Sequence, residues 1–335
     1  MKVQRLIGAM MFAGAVALAV TAYGDQAGDR PVWKGFDELN KPFWQEMKTD
    51  TTQTMKVQGM EVVQKQSQTF YVKWTPKSKD NNTYKVEYEI VGVKMDIEIG
   101  GNKISYDSTD VKNPPPANPL TDFFKALVGS KFTFTVTNDP KTGLQVTDID
   151  DGDLQKFVGK LSAANEQLKP LLQSILNKDA LKQMSNPTFA AYPRTEEEFK
   201  KGSWNYDVDL NMGPIGKYNT HYTYTINPKD KSKIDVTGTM DYQAPKADAG
   251  GQLPFQIKKG ELKADSIKGT VTLDPKAGRI ADSNMTMDLS GNLTIEIAGM
   301  DTQVSLNQKQ NSSVKTLEAD PVPSSSTPAT KKDSK

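Results

Sequence analysis

From Tyr84 to Ile99 the apolar residues alternate with polar ones, change phase once, and alternate again. Tyr84, Val86, Tyr88 and Ile90 fall on even positions, Val93, Met95, Ile97 and Ile99 on odd ones, and Gly92 lies at the change. Strand side chains point alternately to two faces, so a single inserted residue is what keeps one face apolar through such a change. The pattern predicts one long strand bent by a bulge at Gly92. A strand of this kind has one face to bury and cannot stand alone.

The same period recurs on both sides of the chain's middle. Met55 and Val57 hold one parity, Met60 and Val62 the other, and Gln58-Gly59 lies between them as a tight turn or bulge. Phe70, Val72 and Trp74 follow, and Gly100-Gly101-Asn102 reads as a hairpin turn returning through Ile104 and Tyr106. Phe132 to Val136 and Leu144 to Ile149 form a further pair around the Asp139–Gly143 turn. Beyond residue 202 the alternation resumes at Trp204, Tyr206, Val208 and Leu210, then at Tyr222 and Tyr224, Ile234 and Val236, Met285, Met287 and Leu289, and Val304 and Leu306. Trp33, Phe36, Phe43 and Trp44 read as a lead-in whose aromatics dock on the first sheet.

Between these regions, Asn118 to Met184 is the helical part. Leu120, Phe123, Phe124, Leu127 and Val128 share one helix face, with Pro119 at its start and Gly129 at its end. Leu154, Phe157, Val158 and Leu161 suit a second helix. Leu168, Leu171, Leu172, Ile175 and Leu176 are spaced i, i+3, i+4, i+7, i+8 along a third. Thr195 with Glu198 forms a capping box before Gly202. The predicted fold is α+β: a large curved antiparallel sheet, half-barrel-like, packed against a central group of amphipathic helices at 118–200. The helices cannot leave their apolar faces in water, so 25–317 reads as one domain, with two related sheet halves, 44–150 and 202–308, as one option within it.

The two ends are of another kind. Lys2 and Arg5 precede an apolar run from Leu6 to Val20, and Ala22-Tyr23-Gly24 offers small residues for cleavage. Residues 1–24 therefore read as a signal peptide, removed on export to the periplasm or beyond, the other reading being a retained membrane anchor. No later apolar run approaches the roughly 18 residues of a spanning helix. From Glu318 the chain is rich in Pro, Ser, Thr and Lys, and 318–335 is expected to be a disordered tail.

Composition removes several function classes. The 335 residues include 42 basic and 41 acidic ones, which gives no electrostatic footprint for nucleic acid. There is no cysteine, hence no disulfide, thiolate metal site or thiol nucleophile. His221 is the single histidine and alternates with Tyr222, so it faces away from the tyrosines. Asp148, Asp150, Asp151 and Asp153 crowd around Gly152, but a calcium loop needs an oxygen ligand at its fifth position and glycine at its sixth, and here Gly152 and Asp153 stand there. These aspartates read instead as caps for the helix near Leu154. Asp107-Ser108 lacks a glycine elbow and reads as strand-end capping. No phosphate-binding glycine motif occurs. Neither an enzyme, a metal nor a cofactor is expected.

What remains is a surface for apolar ligands. Met55, Met60, Met95, Met212, Met240, Met285 and Met287 occupy the apolar parity of strands, and methionine packs adaptably against varied partners. Core filling is the plain reading. The functional one has Met55, Met60, Met95, Met285 and Met287, with Tyr222 and Tyr224, line the concave side of the sheet under a lid bearing Leu168 and Leu172. The sequence also echoes itself. Thr54 to Glu61 (TMKVQGME) resembles Thr294 to Asp301 (TIEIAGMD), and Gln-Lys-Gln follows both, at Gln64 to Gln66 and Gln308 to Gln310. Two hairpins similar by chance, or two matched parts of one curved sheet, would each produce this.

Within Thr52 to Ser108, the runs QTMKVQGMEVVQKQSQTFYVKW and VGVKMDIEIGGNKISYDS, with NPLTDFFKALVGSKFTFTV and GSWNYDVDLNMGPIG further on, resemble an uncharacterised family of exported bacterial proteins, a domain of unknown function. The resemblance spans about Trp44 to Leu306 and implies an envelope location without an activity or site residues. Element order alone is also similar to the lipoprotein-carrier half-barrels, with more strands than one such half-barrel needs. The resulting expectation is a non-catalytic exported protein that binds an apolar small molecule, a lipid or an envelope component. A structural or interaction protein with a filled core is the alternative, and a hydrolase stands third.

Overall fold

The computed structural model describes residues 30–110, 119–164, 172–173, 176–246, 255–297 and 299–322. The proposed signal peptide, residues 323–335 of the expected tail, and Leu168, Leu171 and Ile175 lie outside these.

Twelve strands form one antiparallel sheet: β1 (Phe43–Val57), β2 (Met60–Asp80), β3 (Thr83–Ile99), β4 (Asn102–Asp107), β5 (Lys131–Asp139), β6 (Gly143–Ile149), β7 (Ser203–Asn211), β8 (Lys217–Ile226), β9 (Lys233–Gln243), β10 (Phe255–Asp274), β11 (Arg279–Ile297) and β12 (Met300–Leu317). Their order is β6-β5-β3-β2-β1-β12-β11-β10-β9-β8-β7, with β4 beside β3. Strands from both expected halves thus belong to one hydrogen-bonded sheet. The halves meet where β1 pairs with β12, from Trp44↔Leu317 to Val57↔Val304. The sheet is open, since β6 and β7 are edges that do not pair with each other.

Several local expectations hold. Tyr71 pairs with Gly92 and Val72 with Ile90, so Val91 is the extra residue of a bulge beside Gly92. Gln58 and Gly59 both have positive φ, 51° and 82°, as a two-residue hairpin turn of the tightest type requires. At Gly291, φ is +149° and an added Cβ would strike the Glu261 carbonyl oxygen, so β10 and β11 approach there more closely than a side chain permits.

Four helices are described: α1 (Pro119–Leu127), α2 (Asp151–Ala164), α3 (Lys178–Ser185) and α4 (Glu196–Lys201). Asp150 caps α2 by accepting from the Asp153 amide, and the Thr195 hydroxyl accepts from Glu198 ahead of α4, which ends at left-handed Gly202. Of the expected 168–176 helix, only Leu172 and Gln173 are described as helical, and Leu172 is buried. The described helices are few: α1 and α2 pack on each other and on β3, β4 and β5, while α3 packs on β6 and β7, and the expected single central group is not seen among the described residues. None of them is long and apolar enough to cross a membrane.

The position of α3 reveals the sheet's shape. It packs against both edges, β6 and β7. Eleven strands spaced about 4.8 Å apart would hold their edges some 48 Å apart if flat, against a helix about 10 Å wide. The sheet therefore curls. Two hydrogen bonds fix the seam: the Val146 amide on β6 donates to Asn186 Oδ1 at 2.7 Å, and Trp204 Nε1 on β7 donates to the Ala190 carbonyl at 2.7 Å.

At the end where β1 starts, the lead-in aromatics dock as expected. Phe36 lies 5.9 Å from both Trp74 and Tyr84, and Trp33 lies 5.2 Å from Phe189 next to the seam. The Arg279 guanidinium sits 4.5 Å over the Phe43 ring and pairs with Glu318. The opposite end carries the hairpin tips at Gly59, Gly100-Gly101 and Gly299.

Candidate inner-face site

The inner face is the buried parity of the long strands, and its middle is polar. β1 turns inward Phe43, Gln45, Met47, Thr49, Thr51, Gln53, Met55 and Val57, so a polar run interrupts an apolar one. On β2 the inward residues include Gln64, Gln66 and Gln68, and on β12 Gln308, Gln310 and Ser312. Register aligns them. One row reads Met95–Gln68–Thr49–Ser312–Met285, the next Ile97–Gln66–Thr51–Gln310–Met287, and the third Ile99–Gln64–Gln53–Gln308–Leu289. Nine uncharged polar side chains, none more than 9% exposed, thus form a block on β2, β1 and β12. Apolar residues of β3 and β11 flank it on either side.

Within the block the amides bond along the strands. Gln64 Nε2 donates to Gln66 Oε1 at 3.4 Å and Gln66 Nε2 to Gln68 Oε1 at 3.1 Å. β12 repeats the arrangement, with Gln308 Nε2 donating to Gln310 Oε1 at 3.4 Å and Gln310 Nε2 to Ser312 Oγ at 3.2 Å. A primary amide has two N–H donors and an oxygen with two lone pairs, so these ladders use a minority of the bonds on offer. Gln64 Oε1 is shielded from solvent and accepts nothing, and neither does Ser283 Oγ, one row beyond on β11. A packed core would leave such groups at a cost of about 1–3 kcal/mol each.

The echo in the sequence has a structural meaning. The β1–β2 and β11–β12 hairpins lie side by side, and the two Gln-Lys-Gln runs place their glutamines in the same two rows on opposite sides of β1. The signal for this block was therefore visible, as glutamines at the inward parity. A search for apolar periodicity passes over it.

The residues singled out from sequence fall in different places. Met55, Met95 and Met285 are buried on the inner face, and Met287 is half-buried beside Gln310. Tyr222 and Tyr224 are buried on β8, the latter stacked on Trp204 at 5.7 Å. Leu172 is buried, and Leu168 lies outside the described residues. Met60 shares the inner-face parity with its partner Val57 but is not covered. It follows the turn at Gly59 and is 58% exposed, as Met300 is 66% exposed after Gly299. The phase change at the turn put Met60 on an apolar parity, but the hairpin tip projects beyond the neighbouring strands that would cover it.

The other candidates are occupied structurally. His221 Nδ1 lies 2.8 Å from Asp207 Oδ1 on the outer face, and both side chains are exposed. Lys178 joins Asp148 and Asp151, and Asp153 accepts from Thr133. Ser108 Oγ accepts from the Val93 amide, while Asp107 accepts from Thr109. Among the described residues no cluster of His, Asp or Glu could hold a metal ion. A cleft of about 800 Å³ lies between α2 and residues 173–178, bounded by Leu154, Val158, Ser162, Gln173 and Leu176.

The outer rows are polar: β12 exposes Asp301, Gln303, Asn307, Lys309, Asn311 and Lys315. A transmembrane barrel turns its apolar residues outward, the reverse of this. The molecule is thus an open, curled antiparallel sheet with a polar outside and a mixed inner face. The chain belongs to a family of unknown function, DUF6263, whose model matches residues 81–280. Among curated proteins no sequence match was found. Of solved structures, lipovitellin is similar at 10% identity and a TM-score of 0.41, over 87% of this chain. The chain spans about a quarter of that protein, 26%. The Pseudomonas aeruginosa protein OccK5 is similar at 5% identity and a TM-score of 0.24, covering 85% of this chain and 100% of its own. The translocator domain of autotransporter NalP from Neisseria meningitidis is similar at 7% identity and 0.21, covering 92% and 95%.

Proposed function

We propose that the chain is an exported, non-catalytic binding protein that holds an apolar or amphipathic molecule against the inner face of its sheet. In this reading the sheet works as a half-barrel, and the helical segment along the seam is its cover. The observation that carries it is the block of nine uncharged polar side chains on an otherwise apolar inner face, one of which, Gln64, has a carbonyl oxygen without a partner. Such groups suit a lining that meets a ligand or water better than a packed core. Native mass spectrometry of the purified protein, before and after organic extraction, tests this. A bound lipid-sized mass that leaves on extraction, with a fall in melting temperature, is expected, because a ligand at a hundred times its Kd stabilises by about 2.7 kcal/mol. An unbound protein whose melting is indifferent to added lipid overturns it.

Export through a cleaved leader rests on Lys2, Arg5 and the apolar run to Val20. N-terminal sequencing should find the mature chain beginning at Asp25. Absence of catalysis rests on the His221–Asp207 pair, in which both side chains are exposed; His221→Ala should leave stability within about 0.5 kcal/mol and ligand binding unchanged.

A second reading is favoured by Met60, Val63 and Met300, large apolar residues exposed at two hairpin tips. They suit contact with another envelope component. Met60→Ser with Met300→Ser should weaken such an association without affecting lipid binding.

A further inference from the structure

The two ends of the described chain meet at one end of the sheet. Trp33, Phe36 and Phe43 close the inner face there, none more than 7% exposed, with the Trp33 and Phe36 rings 5.0 Å apart. This plug leans on the turn before β11. The Lys34 amide donates to the Gly278 carbonyl at 2.8 Å, a Cβ on Gly35 would come within 3.3 Å of Arg279 Cβ, and the Arg279 guanidinium covers Phe43. We infer that residues 318–322, which follow β12, are a releasable strap that locks the plug. The strap holds Arg279, Arg279 holds the plug, and undocking the strap loosens this end of the sheet. The device works without any ligand on the inner face.

Two anchors fix the strap. The first is electrostatic. Glu318 pairs with Arg279, whose side chain is 11% exposed while that of Glu318 is 72% exposed. Arg279 Nε is already shielded and without an acceptor, so the Glu318 carboxylate is what makes a buried guanidinium tolerable there.

The second anchor is apolar and lies on the outer face. A Cβ on Gly92 would stand 2.9 Å from Val322 Cγ2 and 3.0 Å from Tyr71 Cδ2, so Val322 is seated in the notch that the glycine leaves. Gly92 does not have positive φ, and packing rather than backbone conformation keeps the position bare. Asp320 Oδ1 accepts from the Val322 amide at 2.9 Å and turns the chain toward the notch. Gly92 of β3 pairs with Tyr71 of β2, and Tyr71 with Glu46 of β1, so the strap runs from β12 across the outer side of β1 and β2. Strands three places apart are separated by about 14 Å, which a few residues of extended chain just cover.

Both anchors are of a kind that lets go. An ion pair with one partner in solvent is screened by salt, and Val322 is only half-buried. β1, by contrast, is held by ladders on both sides, to β2 and to β12. The strap therefore opens in a local step ahead of the sheet. Opening leaves Arg279 without its counter-charge above Phe43, and that cost falls on the plug rather than on distant strands.

Hydrogen exchange read by mass spectrometry on the full mature chain tests this, with Val322→Asp as the main variant. The substitution puts a carboxylate beside Tyr71 and Gly92 and leaves Glu318 and Arg279 in place. Exchange at 318–322 should rise at least tenfold, exchange at 33–36 and 43–48 should rise severalfold with it, and β8 and β9 should not change. A wild-type chain whose 318–322 amides already exchange at the free-peptide rate overturns the strap. A variant that frees 318–322 and leaves 33–36 unmoved overturns the lock. A mutant cycle checks the seat of Val322 separately. Gly92→Ala should lower the melting temperature, and on a Val322→Ala background the drop should shrink by at least half, because the two side chains compete for one space. An equal drop on both backgrounds overturns the seat and the strap with it.

Discussion

The hydroxyl oxygens of Thr49 and Ser312 lie 3.3 Å apart, so the first and last strands are joined through side chains as well as backbone. Ser312 Oγ also receives Gln310 Nε2 at 3.2 Å and keeps a partner if Thr49 loses its hydroxyl. Thr49→Val should therefore cost about 1 kcal/mol by denaturant titration. Combined with Ser312→Ala it should cost less than the sum of the single changes, because both polar ends of one bond vanish together. Strict additivity would count against a real bond.

Two glycines should respond oppositely to alanine. At Gly291 the backbone lies at φ +149° and a Cβ would meet the Glu261 carbonyl, so Gly291→Ala should destabilise by about 2–4 kcal/mol. At Gly159, on an exposed turn of α2 with nothing near, Gly159→Ala should stabilise by about 0.5–1 kcal/mol. Thermal melts of the two variants check both signs.

Glu198 sets part of the acid limb. Burial pushes its carboxyl upward, but hydrogen bonds from the Arg194 side chain and backbone, and the guanidinium charge, outweigh it and hold the group below its usual 4.5. A depressed carboxylate contributes stability that is present above the unfolded value and lost as pH falls through the folded one. Glu198→Gln should lower stability at neutral pH and narrow its gap to wild type below pH 4.5, read from melting temperatures across that range.

The inner tyrosines set the alkaline limb. Burial pushes Tyr206 up to about 12, partly offset by the Arg194 charge, and raises Tyr88, Tyr218, Tyr222 and Tyr224 further. Their contribution is full below the unfolded value of 10 and shrinks as pH rises toward the folded values. In a spectrophotometric titration these five should stay protonated past pH 10 and ionise together when the sheet opens. Tyr222→Phe and Tyr224→Phe should remove part of the alkaline loss.

Much of this was legible locally. Gly92, Gly59, Pro119, Gly129 and the Thr195–Glu198 cap are places where one residue type satisfies one backbone demand, so their meaning does not depend on distant partners. The pairing of β1 with β12 depends wholly on distant partners, and no local period encodes it. Met60 shows the limit of parity, since alternation says which residues share a face but not where the sheet stops covering it. The glutamines were hidden for another reason. Gln64, Gln66, Gln308 and Gln310 keep the inward parity but look like surface residues, and only the register reveals them together.

The β1–β12 pairing also governs when the molecule can come into being. Its partners stand far apart in the chain, from Val57 and Val304, 247 residues apart, to Trp44 and Leu317, 273 apart. Everything between can pair with near neighbours in a meander, but this central ladder waits for the last strand to be made, and contacts of such long range form slowly. Until then β1 offers a bare fifteen-residue edge, the kind of edge that invites pairing with the wrong chain. The polar rows straddle that ladder, with Gln66 and Thr51 on one side and Gln310 on the other. A half-made or clipped chain can fold much of its sheet and still lack the assembled polar rows, so an intact inner block certifies a finished molecule.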